Sequence, residues 1–315
     1  MSALIKKIQT TIFQYSLVPR ESKIILCVSG GPDSICLLNI FLHLQKKYNL
    51  DLLVAHVNYD LRGKDSARDE KFAQSLAKKF GLKFVLLKPK IGKKYSEETL
   101  RKIRYDFFEK IRKENHFDLI AVAHNLDDQV ETFLMRVLRG AGLKGMSAMK
   151  YKNEKIIRPL LGISRQEILE FLKENKITYR LDKTNRQNIF LRNKIRNKLL
   201  PYLEKNFNAN IKQTIFHSLE SIREDYDFIS EMTKKELEKN KNLAVSKLTK
   251  LHPALQKRIL LEKLSQKKSA EQEITSAHIN ELMKIIQSAK SKRQVMKIGN
   301  LKIERKQDRI VISNL

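Results

Sequence analysis

Along the first two hundred positions two rhythms of apolar residues alternate. A nearly continuous apolar run at 24–28 has the pattern of a strand buried on both faces, 51–57 reads as a second buried strand, and further strands are predicted at 83–88 and 118–123. Between them apolar residues recur every third or fourth position, as at Ile35, Leu38, Phe41 and Leu42, which predicts helices after the first strand and over about 66–80, 97–114 and 127–139. A short amphipathic helix carrying Ile5, Ile8 and Ile12 precedes them. Strands and helices alternating at these lengths predict an α/β fold built on a parallel sheet with helices on both faces. An edge-like segment follows at 156–160. Ser164 then caps a helix through Ile168, Phe171 and Leu172, with Glu167 completing a capping box. Another helix is predicted over 188–203, with Leu191, Ile195 and Leu199 on one face and Arg192 and Arg196 on a basic outer side. The remainder reads as mainly helical until a β element at 294–298, 301–304 and 309–312, turned at Gly299-Asn300 and Gln307-Asp308. Pro201 and the polar stretch 204–210 place the expected boundary between domains 1–203 and 204–315.

In parallel sheets, ligands bind beyond the carboxyl ends of the strands, and the chemically informative residues lie there. After the first strand comes Ser29-Gly30-Gly31-Pro32-Asp33-Ser34. A strand, a glycine-rich turn and a helix start form an anion cradle, because glycine lets the backbone approach and free N–H groups at the helix start face negative oxygen. Ser29 and Ser34 add hydroxyls, and Asp33 is placed to reach a metal ion bridging phosphates. No Gly-Lys-Ser/Thr follows, so this is not a Walker loop. The second strand ends in His56, Asn58, Tyr59, Asp60, Arg62 and Gly63. The fourth leads into His124, Asn125, Asp127, Asp128 and Glu131, where Asp128 and Glu131 are three apart and share a helix face. Gly140, Gly142 and Gly145 match a dinucleotide fingerprint literally, but they follow a helix rather than a strand, which excludes that reading.

The net charge is +28, from 63 basic and 35 acidic residues distributed along the whole chain, so both domains are suited to a polyanion. Cys27 and Cys36 fall in the first strand and its helix and read as buried apolar residues of a reducing compartment. No CxxC supports a zinc site or an iron–sulfur cluster. No apolar run reaches membrane length and the first residues lack a signal-peptide core. A cytoplasmic chain with no membrane partner is expected.

The 29–34 loop resembles the SGGxDS pyrophosphate loop of the N-type ATP pyrophosphatases. With the block at His56–Gly63, the chain resembles the tRNA(Ile)-lysidine synthetases, whose HVNHGLRG it departs from at Tyr59 and Asp60. Leu100-Arg101-Lys102-Ile103-Arg104 resembles the family block that carries a basic residue near the nucleotide, and Arg104 is the matching position. The stretch from Ala123 to Thr132 resembles AHHxDDQxET, with Asn125 in place of a usual histidine. Arg139 with its glycines, Asp182-Lys183-Thr184-Asn185, and Arg192 to Pro201 resemble later blocks. The resemblance extends from about Ser22 to Pro201 and is weak beyond.

It implies a Rossmann-like, adenine-nucleotide α-hydrolase-like sheet with a mainly helical second domain contacting tRNA, in a short form of the family. It also implies a ligase that uses ATP and Mg2+ to adenylate the wobble cytidine of a CAU-anticodon isoleucine tRNA, then replaces AMP with free L-lysine. Residues 29–34 and His56 would bind ATP, with Asp33 also at the metal. Asp33, Arg104 and His124 would be catalytic, and Asp128 and Glu131 would hold lysine. Arg62, Arg139, Arg192 and Arg196 would contact tRNA. A tRNA-thiolating enzyme, an ammonia-using ligase of the same superfamily and a non-catalytic tRNA-binding module stay open as alternatives, and so does a homodimer.

Overall fold

The computed structural model describes residues 2–92, 95–180, 191–268, 273–288 and 293–315. The chain divides into two compact units, Met1–Glu220 and Ser221–Leu315.

The first unit starts with α1 (Ala3–Gln14) and continues as β1 (Lys23–Cys27), α2 (Pro32–Tyr48), β2 (Asp51–Val57), α3 (Lys64–Lys79), β3 (Lys83–Leu87), α4 (Glu97–Glu114), β4 (Leu119–Ala121), α5 (Leu126–Val137) and α6 (Leu143–Met146). Two short strands, β5 (Lys152–Asn153) and β6 (Ile156–Ile157), precede α7 (Arg165–Glu174). The six strands lie in the order β3-β2-β1-β4-β6-β5, with only β5 antiparallel to its neighbour. The expected edge segment is therefore second from the edge, because the hairpin through Lys152 and Asn153 adds an outer strand too short to show periodicity.

Successive residues of a strand face opposite sides of a sheet, and β1 shows it. Ile24 and Leu26 pack with Phe41, Leu38, Ile8 and Ile168. Ile25 packs with Leu53, Ile120, Phe108 and Ile111 on the other face. The first face is closed by α2, which is buried on most sides through Ile35, Leu37, Leu38, Ile40 and Phe41. Strand order reverses at β1, which has β2 on one side and β4 on the other. Such a switch point opens a crevice at the carboxyl ends of the two diverging strands.

After α7, the predicted helix over 188–203 is described only from 191, and its first residues lie outside the described set, as does the Asp182–Asn185 block. It is broken into α8 (Leu191–Lys194), a π-helical turn (Ile195–Leu199) and α9 (Leu200–Asn206). α10 (Ile211–Lys239) then runs across the division between the units.

The second unit adds α11 (Val245–Leu248), α12 (Pro253–Lys267), α13 (Ser276–Gln287) and an antiparallel sheet of β7 (Gln294–Ile298), β8 (Leu301–Lys306) and β9 (Arg309–Asn314). Leu260, Leu264, Leu282, Ile286, Leu301 and Ile303 form its core. Beside it the buried Glu304 meets Lys302 at 2.7 Å, Lys306 at 3.2 Å and Arg293. Among the described residues no helix is long and apolar enough to cross a membrane.

Candidate active site

The loop after β1 is shaped by its own residues. Gly30 has φ +93°, a backbone that residues with a Cβ rarely adopt, while the space around it is ordinary. Pro32 occupies the first turn of α2, where its missing N–H costs no helical bond. The Ser34 hydroxyl donates to the Gly31 carbonyl at 2.8 Å and accepts from the Ser29 amide at 3.1 Å. Ser34 thus stitches the loop shut from beneath, and Ser29 lies 3.1 Å from it. The result is a preformed concave backbone at a helix N-terminus.

Asp33 stands at the mouth of this loop. Its Oδ1 accepts from Asn125 Nδ2 at 3.1 Å, and its Oδ2 is paired with Arg165. Burial pushes its carboxyl above the ordinary range, against the pull of Arg165. Asn125 joins two parts of the site. It caps α5 by accepting from the Asp128 amide at 3.0 Å, while the Asp128 carboxylate accepts from the Asn125 amide at 3.1 Å. Such a cap is worth about 1 kcal/mol. Arg165 is fixed by its own amide, which donates to Asp127 Oδ2 at 2.8 Å.

At the end of β2, His56 Nδ1 donates to the Val28 carbonyl at 2.7 Å, which ties that strand to the loop. Burial lowers its pKa, leaving a neutral ring with the proton on Nδ1. Asp60 has φ +52°, a left-handed backbone that favours glycine, and its amide is held by Asn58 Oδ1 at 2.8 Å. Tyr59 donates its hydroxyl to the Leu100 carbonyl of α4 at 2.7 Å. Arg62 pairs with Asp69 at 2.7 Å, and the second oxygen of Asp69 meets Arg180 Nε at 3.3 Å. The Arg180 amide also donates to the Gly30 carbonyl at 2.9 Å, so a guanidinium is anchored beside the loop.

Arg104 is half-buried on α4 with its guanidinium 5.8 Å from the Tyr105 ring centre. His124 follows β4. Its Nδ1 accepts from Arg158 Nε at 3.3 Å, and Arg158 is itself buried and donates to the Lys150 carbonyl at 3.0 Å. Burial pushes the imidazole down to about 3, and Arg158, Arg101 and Arg104 reinforce that while Asp128 opposes it. Arg139, by contrast, is exposed after α5.

Asp128 and Glu131 do share one face of α5, and that face is occupied. Arg192 Nε donates to Glu131 Oε2 at 2.7 Å, and its NH2 lies 3.1 Å from Asp128 Oδ1. Arg196 NH2 reaches Glu131 Oε2 at 2.9 Å and Asp128 Oδ1 at 3.4 Å. The Glu131 side chain is 1% exposed. Burial raises its pKa against the pull of Arg196. For Asp128 burial also opposes ionisation, but Arg192, His124 and Arg196 outweigh it and hold the carboxyl below its ordinary range. Arg192 and Arg196 therefore face inward rather than lying on an outer side. The π-helical turn at Ile195–Leu199 departs from the straight-helix register, and buried carboxylates on α5 supply partners.

The structure thus brings residues 29–34, Asn125 and Asp128 together by direct or shared contacts. It adds Arg158, Arg165 and Arg180, which sequence reasoning missed. Each is a single basic residue whose partner lies 34 to 132 positions away, as with Arg158 and His124 at 34 or Arg165 and Asp33, so no local spacing marks it. The two cysteines are the reverse case. Burial raises both thiols, Cys36 to about 12, so neither is a ready thiolate.

A family model described as a PP-loop domain matches residues 3–203. The chain is 32% identical to a tRNA(Ile)-lysidine synthase of Clostridioides difficile, over 98% of this chain and 70% of that one. It is 40% identical to a tRNA(Ile)-lysidine synthase of Clostridium tetani, over 72% of this chain and 51% of that one. The chain thus spans about half the length of some of the curated relatives it matches. Among solved structures, a U34-tRNA thiolase from Methanococcus maripaludis superposes with a TM-score of 0.58 at 21% identity, over 70% of this chain and 77% of that one. That likeness supports the fold alone.

Proposed function

The chain belongs to the tRNA(Ile)-lysidine synthase family of ATP-dependent PP-loop ligases, and on that premise we propose that it converts the wobble cytidine of a CAU-anticodon isoleucine tRNA to lysidine, so that the anticodon reads AUA instead of AUG. The observation that carries this reading is the link from Asp33 through Asn125 to Asp128, which joins the phosphate loop to the acidic face of α5.

In the first step the 2-carbonyl oxygen of the cytidine attacks the α-phosphorus of ATP. The P–O bond to the β-phosphate breaks and pyrophosphate leaves. Residues 29–34 cradle the leaving group with backbone N–H groups. Arg104 stabilises charge on the α-phosphate, and His124, neutral with its proton on Nε2, donates a hydrogen bond rather than accepting a proton. Asp33 fits a magnesium ion, because that ion keeps several waters and takes one or two carboxylates with the substrate phosphates. Among the described residues no cluster of three His, Cys, Asp or Glu offers a full protein cage. Magnesium bound there would neutralise charge on the phosphates.

In the second step the ε-ammonium of lysine loses a proton to water, the resulting amine attacks C2 of the adenylated base, and the C–O bond breaks so that AMP leaves with its electrons. Asp128 and Glu131 hold the amino acid. Catalysis comes from positioning and charge stabilisation. Residues 1–203 carry this chemistry. Residues 204–315, Arg62, Arg139 and the basic balance of the chain serve tRNA contact, in a cytoplasmic enzyme. The test is pyrophosphate release from ATP with and without tRNA in the absence of lysine. Release that requires a CAU-anticodon transcript supports the reading, and release that ignores RNA contradicts it.

A further inference from the structure

Free lysine is both a dication and an anion. It carries an α-carboxylate next to its α-ammonium, with the reacting amine at the far end. Two acids explain how its amino groups are held, and leave its carboxylate without a partner. The face of α5 presents a second pair of charges for it. Arg192 and Arg196 lie within 3.4 Å of Asp128 and Glu131, forming a square of two positive and two negative side chains, and Arg192 also meets the more exposed Glu97 at 3.4 Å at its rim.

We propose that Arg192 and Arg196 are lysine-binding residues that take the α-carboxylate, a proposal that rests on the lysidine-forming reading given above. The square is then a site suited to a zwitterion, each protein pair marking a charge that a ligand group of the same sign can replace. Removing one partner of a buried ion pair costs about 3–5 kcal/mol, since it strands a charge. An incoming cation alone would take an acid and strand an arginine. A zwitterion brings an anion for the guanidinium as it brings a cation for the carboxylate, so every ion pair that breaks is replaced. The geometry suits this exchange. Both guanidiniums already hold carboxylate oxygens, and Arg192 does so with two different nitrogens. A planar guanidinium binds any carboxylate in the same forked way. The arrangement would select lysine over amines of equal length that lack the acid.

The experiment compares L-lysine, L-lysinamide and cadaverine as nucleophiles toward tRNA, with pyrophosphate release measured in parallel. In the wild-type protein kcat/KM for lysine exceeds that for lysinamide and cadaverine by at least about tenfold, the factor expected for one charge-assisted hydrogen bond. In Arg192→Gln and Arg196→Gln that preference shrinks toward unity, with thermal melts followed by circular dichroism reporting that each variant is folded. Equal use of lysine and lysinamide by the wild type, with pyrophosphate release intact, overturns the proposal and leaves the lysidine reading standing. So does an undiminished preference in both variants. Failure of tRNA-dependent pyrophosphate release in the wild type overturns both.

Discussion

Arg158 donates through Nε to Nδ1 of His124 at 3.3 Å. An imidazole nitrogen that accepts carries no proton, so the neutral ring keeps its hydrogen on Nε2. On the proposed mechanism Arg158 is therefore a positioning residue that fixes the Nε2–H tautomer of His124. Arg158→Met should lower kcat for tRNA adenylation roughly ten- to hundredfold, as loss of an oriented donor does, and Arg158→Lys should recover part of it. Nitrogen-15 spectra of His124 should show the Nε2–H tautomer in the wild type and a mixture in Arg158→Met. An unchanged tautomer with full activity would remove this role.

Stability on the acid side should report the same histidine. Its pKa falls from 6.5 unfolded to about 3 folded, so between those values the unfolded chain binds the extra proton. Stability should then drop as pH falls from about 6.5 towards 3, with a slope from this group of up to about 1.4 kcal/mol per pH unit. His124→Gln should flatten that part of the curve in denaturant titrations of the full chain. The neighbours named above, Asp128 and the three arginines, remain in both proteins.

Glu304 makes a prediction of the same sign for the second unit, in a lower pH window. Its three basic neighbours hold the carboxyl down at about 2, from 4.5. The stabilisation is complete above 4.5 and is lost as pH falls through 2. Glu304→Gln should melt at lower temperature than the wild type near neutrality, and the difference should close as pH approaches 2.

Gly30→Ala isolates the backbone of the loop. The nearest atom to an added Cβ is Phe72 Cδ1 at 3.6 Å, so sterics cost little and φ +93° costs about 1–3 kcal/mol. ATP affinity should fall while lysine saturation is unchanged, as read from separate titrations of the two substrates.

The two steps separate by residue. Asp33→Ala should abolish pyrophosphate release, because it removes the carboxylate at the loop mouth together with the partner of Arg165 and Asn125. Asp128→Ala should raise the KM for lysine more than it lowers pyrophosphate release. Normal lysine saturation in Asp128→Ala would remove that residue from the lysine site.

The parallel sheet was legible because β1, β2 and β4 are buried in its interior and carry near-continuous apolar runs, and the half-buried edge strand β3 keeps such a run as well. The capping box of Ser164 and Glu167 was readable for a different reason, since its partners are three residues apart. The inward turn of Arg192 and Arg196 was not readable. Periodicity assigns charge to the outside of a helix, and only the acids of α5, more than sixty positions earlier, make the inside polar. The same limit hid Arg158 and Arg165, whose roles depend on partners that folding alone brings near. The double role of Asn125, a cap of α5 that also reaches Asp33, was not readable either, because Asp33 lies 92 positions earlier.

The most direct measurement is transfer of labelled L-lysine to RNA, using ATP and transcripts of CAU-anticodon isoleucine tRNA. Label should enter the wobble nucleotide with one AMP and one pyrophosphate formed per lysine incorporated. ATP cleavage without labelled RNA, or a modified wobble base containing sulfur in place of lysine, would contradict the account.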